Sequence, residues 1–191
     1  MAPAAPLQRK DWIAAALARF SGHGSEAVCG EPLARELKVS KGSFYWHFRD
    51  RDELVEQILA AWEAGEVAWM DDAEADSAAS RWARLVERTS DPRRIRTEVA
   101  VREWARRDEG VAVRVAMIER KKAGLIADVL REVGFAPAAA ESWSQIVLLV
   151  CLGWLDRATR DRQFHLAGWS LVEFLSDLIL AASDRSSVAS G

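Results

Sequence analysis

Apolar residues recur along the chain at three- and four-residue intervals, broken by short polar, glycine or proline stretches, and this spacing predicts helices throughout. Ile13, Ala16, Leu17 and Phe20 mark one face of a first helix over roughly Lys10 to Gly22, which Ser21, Gly22, His23 and Gly24 end. Pro32 suits a first helical turn because its missing N–H would be unpaired there anyway, and Leu33, Ala34 and Leu37 give that helix its apolar face. Ser40 is placed to cap a third helix, in which Phe44 and Phe48 lie four apart and face the same way. A fourth helix begins near Arg51, with Leu54, Ile58, Ala61, Trp62, Gly65 and Trp69 on its buried side. Asp91-Pro92 and Asp108-Glu109-Gly110 then separate helices over 78–89, 93–106 and 109–132. The third of these carries Val111, Val115, Ile118, Leu125 and Val129 on one face, with Arg114, Arg120, Lys121 and Lys122 outside it as a solvated basic surface. Two long apolar helices, over 138–160 and 163–183, close the chain. No stretch alternates as a strand would, so the expected fold is all-α with about nine helices.

Charge sharpens this layout. The whole chain carries a net −3, but residues 1–51 hold 8 Lys+Arg against 5 Asp+Glu, leaving 18 against 24 in the remainder. A positive amino-terminal part on an acidic body favours phosphate at one end. Arg9 and Lys10 sit against the dipole of the first helix, where a nearby anion such as a DNA phosphate would offset the cost. The stretch Glu31 to Leu54, two short helices joined by a tight turn with an apolar inside and a polar-aromatic outside, reads as a helix-turn-helix.

On these residues, positions 13 to 54 are similar to the amino-terminal domain of the tetracycline-repressor (TetR) family of bacterial regulators. The resemblance rests on Ile13, Ala16, Leu17, Phe20, Gly24, Ala27-Val28, Leu33-Ala34 and Leu37. It rests most specifically on Val39-Ser40-Lys41-Gly42-Ser43-Phe44-Tyr45-Trp46-His47-Phe48 with Arg51 and Leu54. It implies a helix-turn-helix domain over 1–50 and an effector-binding and dimerisation domain over 51–191. It also implies a homodimeric repressor that leaves a palindromic operator in double-stranded DNA when a small-molecule effector binds. By the same resemblance Lys41, Ser43 and Trp46 fall at base-edge and nearby phosphate positions, Gly42 at a close backbone approach, and Tyr45 and His47 at phosphate contacts. Arg51 takes the place of the usual Lys. The fourth helix is the family's connector between DNA-binding and ligand-binding parts. Lys38 departs from the pattern, because many relatives have Gly there to end the second helix.

Trp62, Trp69, Trp82 and Trp104 lie where the family builds its ligand cavity; aromatic walls suit a flat or apolar effector or a cation held over a ring, and core packing alone is the alternative for the same residues. In the closing helices apolar residues cover more than one stripe, which fits one side facing the core and another a partner, with two core helices as the alternative. Trp143, Val147, Val150, Trp154, Leu171, Leu175 and Leu178 are the expected interface residues of a four-helix dimer contact.

Other chemistries find little support. Cys29 and Cys151 have no partner at metal or redox spacing, so free thiols in a reducing, cytoplasmic setting are expected, with Cys29 read as a small buried side chain rather than a redox switch. The acids from Asp72 to Asp76 lack the glycine and the closing carboxylate of a calcium loop and read as an acidic linker. His23, His47 and His165 form no metal pair, and there is no phosphate loop or nucleophile elbow, so neither enzyme activity nor a cofactor or metal is expected. The opening residues have no apolar core of a secretory signal and read as an arm, while the ending from Ala182 reads as a fraying tail. The apolar run Ile146–Leu155 is taken as a buried helix, too short to cross a bilayer. A protein-binding adaptor on the same fold is the alternative, but it would lack the charge that Lys41, Arg49 and Arg51 place around the third helix.

Overall fold

The computed structural model describes residues 7–74 and 77–160. Their fold is all-helical: α1 (Arg9–His23), a single 3-10 turn (Ser25–Ala27), α2 (Gly30–Glu36), α3 (Lys41–His47), α4 (Arg51–Glu74), α5 (Ala78–Ser90), α6 (Pro92–Ala105), α7 (Glu109–Glu132) and α8 (Pro137–Arg160). Each helix expected from the spacing within this range is present. The ninth, over 163–183, lies outside the described residues, and so do His165, Leu171, Leu175 and Leu178.

The chain divides into two compact units. One holds positions up to Gly65 together with Arg96–Val115, and the other holds Glu66–Ile95 together with positions from Ala116 onward. The division falls inside α4, α6 and α7.

In the first unit, α1 buries Trp12, Ala16 and Phe20, one residue every four positions. The stripe is therefore turned from the expected one, with Ile13 and Leu17 only half-buried. The large Trp12 draws it round: fully enclosed, its ring meets Phe44 edge-on at 5.7 Å. Val28, Leu33, Phe44, Phe48, Leu54 and Ile58 complete this core. Trp62 donates its indole N–H to Glu98 at 3.0 Å, and Trp104 packs edge-on against Phe20 at 6.0 Å. Arg114 is not a solvated cation here. It pairs with Glu63 and Glu56, each at 2.5 Å, and the hydrogen bond to Glu63 is the main cause raising its pKa above the ordinary value.

In the second unit, α7 and α8 supply the core residues Ala123, Ile126, Leu130, Val147, Leu148 and Cys151, and Trp82 and Leu85 of α5 pack against them. Gly134, at φ 102°, ends α7 in a left-handed turn in which the Phe135 N–H returns to Leu130 O at 3.0 Å. Lys122 also departs from the solvated face assigned to it and reaches Glu66 at 2.9 Å. Helix α8 is long and apolar enough by length and composition to span a bilayer, contrary to the expectation from its shorter apolar run. It is a core helix nonetheless, with Ala140, Val147 and Cys151 in the cluster it shares with α7.

Candidate nucleic-acid interface

The second and third helices meet at very short range. A Cβ on Gly30 would lie 2.8 Å from Cγ of Phe44, so only glycine lets α2 start this close to the recognition-helix ring. Helix α2 closes on a left-handed turn: the Lys38 N–H reaches Arg35 O at 3.2 Å and the Val39 N–H reaches Ala34 O at 2.9 Å. Lys38 itself takes φ 57°, and it is the one non-glycine residue with positive φ among the described residues. The position that the resemblance assigns to Gly therefore has the backbone that favours Gly. Ser40 starts α3 differently from the expectation. Its extended backbone puts its carbonyl, and not its hydroxyl, in range of the Ser43 N–H at 3.0 Å.

Helix α3 is held from inside and from its end. Phe44 and Phe48 are buried and stack at 5.4 Å, and the Phe48 N–H closes the helix on Phe44 O. Arg9 clamps the end: it donates to His47 O at 2.8 Å, pairs with Glu53 at 2.6 Å and lies 4.7 Å over the Phe48 ring. The cation at the start of α1 thus has a carboxylate partner within the chain. Glu53 also accepts the Arg49 N–H at 2.9 Å, and that backbone bond, followed by the one from Arg9, pulls its pKa down from 4.5 to about 2.

The opposite face of α3 is open. Tyr45 is 61% and Trp46 89% exposed. Lys41 is exposed and reaches Glu31 at 3.4 Å. Gly42 is exposed as well: a Cβ there would meet nothing nearer than Ser40 Oγ at 3.8 Å, so its lack of a side chain keeps the surface low. Ser43 and His47 are half-buried, the His47 ring lying 6.2 Å from Trp12. Beside this face a cleft of about 520 Å³ is lined by Glu31, Lys41, Tyr45, Arg49 and Cys29 among others. Arg51 also lines it, but its guanidinium is occupied inward, donating to Val28 O at 2.9 Å and Ser25 O at 2.6 Å. It fixes the loop between α1 and α2.

This geometry belongs to a known class of domain. Residues 13–58 match the family model of bacterial regulatory proteins of the tetR family. Residues 13–58 are thus a TetR-type amino-terminal domain. The chain is a DNA-binding transcriptional regulator, and regulators of the family are not enzymes. Solved structures share the fold over nearly the whole chain. A transcriptional regulator from Rhodococcus sp. Rha1 is 18% identical with a TM-score of 0.72, covering 94% of this chain and 97% of its own. The regulator FadR from Bacillus subtilis in complex with stearoyl-CoA is 13% identical with a TM-score of 0.60, covering 92% and 97%. One from Aquifex aeolicus VF5 is 15% identical at 0.59, covering 93% and 98%. No curated protein matches the chain.

Other expected site residues of this TetR regulator fall in separate places. Trp62 and Trp104 belong to the first unit, and Trp69 and Trp82 to the second. Trp69 lines a cleft, whereas Trp82 packs on the α7 and α8 core. Among the interface candidates, Val147 is fully buried in the chain's own core, because it faces α7, so it offers no surface. Trp143, Val150 and Trp154 are half-buried against that core, and the exposed apolar residues of α8 are Ile146 and Leu149. Cys29 is half-buried, its thiol 3.7 Å from Glu26 O, and burial raises the Cys151 pKa to about 11, which keeps it a thiol.

Sequence reasoning missed the Arg9–Glu53 clamp, the Gly30 contact and the cations gathered on Glu66. The sequence signal for the first was the cation pair Arg9-Lys10 at the start of α1, in want of an anion, but nothing pointed to Glu53 as that anion.

Proposed function

We propose that this regulator is a homodimeric repressor with its DNA-binding part over 1–50 and its effector-binding and dimerisation part over 51–191. The reading is carried by one observation: Trp46 and Tyr45 stand exposed on a helix whose other side is anchored by Phe44 and Phe48. A large exposed indole has no role in the core and suits contact with sugars and thymine methyls, while Lys41, Gly42, Ser43, Tyr45 and His47 approach base edges and phosphates. Arg51 supports them from beside the surface. Two such helices related by a two-fold axis enter successive major grooves about 34 Å apart, so the operator is palindromic. The exposed α8 residues Ile146 and Leu149 favour a partner helix on that side. A small-molecule effector releases DNA by binding better to the dimer that cannot span the operator. The protein works in the cytoplasm, in keeping with its two free cysteines.

Selection of bound sequences from random DNA tests the reading, with a palindrome as the expected result. Trp46→Ala should then relax preference at one position of each half-site by about 1–3 kcal/mol. Recovery of no common sequence would sink it.

A further inference from the structure

In the second unit, Trp69 of α4, Arg84, Glu87 and Arg88 of α5, and Asp91 and Arg94 at the start of α6 line a half-open cleft of about 250 Å³. Its chemistry is uneven. Arg88 and Arg94 both reach Glu66, a carboxylate only 6% exposed, and Lys122 reaches the same carboxylate at 2.9 Å. Among the described residues these groups count four cations, Arg84, Arg88, Arg94 and Lys122, against three carboxylates, Glu66, Glu87 and Asp91, with Arg94 also 3.9 Å from Asp91. Arg88 also lies 4.5 Å over the Trp69 ring, which fixes both a flat apolar wall and a planar donor at the cleft. The Trp69 indole N–H is buried with no acceptor among the described residues. A buried donor without a partner is rare.

We propose that this cleft binds a small anion, a carboxylate or phosphate carried on a flat apolar group. The anion sits on Arg94 and Arg88, where planar guanidinium donors match its oxygens. The apolar part lies along Trp69. Glu66 holds the arginines in place before any ligand enters. This deepens the effector reading above, since it names the chemical class of the effector and where it binds.

The test titrates the full-length protein with benzoate, phenyl phosphate and inorganic phosphate, with benzyl alcohol as the uncharged control, by calorimetry and tryptophan fluorescence. The two aromatic anions should bind saturably, inorganic phosphate more weakly and benzyl alcohol not at all. Arg94→Ala should weaken the aromatic anions by about tenfold while leaving the unfolding midpoint close to the parent's, because Arg94 is half-exposed. Trp69→Leu should abolish the fluorescence response. Equal binding to the parent and to Arg94→Ala, or no saturable binding at millimolar concentration, overturns the proposal. DNA binding is measured alongside. Anions that bind at Arg94 without releasing DNA support the cleft and overturn only the release step.

Discussion

The helix-turn-helix and the surroundings of Glu66 both bring helices into fixed positions, and they do it by different means. In the first, backbone decides. Gly30 admits the Phe44 ring, Lys38 turns the chain at φ 57°, and Arg9 and Arg51 spend their donors on main-chain carbonyls. In the second, side-chain charge decides, with Arg88, Arg94 and Lys122 gathered on one buried carboxylate. Geometry set by the backbone tolerates salt and ligand, whereas geometry set by converging charges responds to any new charge that enters. A reading surface benefits from the first and a sensing site from the second.

The largest expected effect tests the backbone side. Gly30→Ala places a methyl 2.8 Å from the Phe44 ring, so α2 or the ring must move. Thermal unfolding should show a loss of about 1–3 kcal/mol, the usual cost of overpacking a filled core. A neutral result would mean that Phe44 yields easily and that the contact does not set the helix spacing. Next comes Lys38→Gly, which relieves a side chain held in the left-handed region. It should gain about 1 kcal/mol in chemical denaturation, and a loss would show that the lysine side chain contributes more than its backbone costs.

The smallest effect concerns charge within the backbone-set region. Glu53 has its folded pKa depressed from 4.5 to about 2, so its contribution is complete above pH 4.5 and is lost as pH falls toward 2. Glu53→Gln should therefore be less stable than the parent at neutral pH, and the gap should close across that acid window. A gap constant with pH would assign the role of Glu53 to packing.

The same contrast explains what the sequence disclosed. Helices α1 to α8 were legible because apolar spacing and the breaks at Asp91-Pro92 and Gly134 are local signals. The aromatic run of α3 was legible for the same reason, with Phe44 and Phe48 facing inward and Tyr45 and Trp46 outward. Rotation of the α1 stripe to Trp12 was not, since a one-position turn leaves the same mixture of apolar residues in the window. Nor was the fate of Arg114 and Lys122. Their partners Glu63 and Glu66 stand more than fifty positions away, and no spacing rule links such pairs. Val147 shows the limit on the apolar side: an amphipathic pattern identifies apolar residues, but not which of two apolar faces turns inward.

One contact reaches beyond the reading surface itself. The last carbonyl of the recognition helix is fastened by Arg9, the first residue of α1. The first residue of α1 is therefore a structural support of α3. Losing the Arg9 side chain would loosen a helix nearly forty positions downstream while leaving every exposed residue of that helix unchanged.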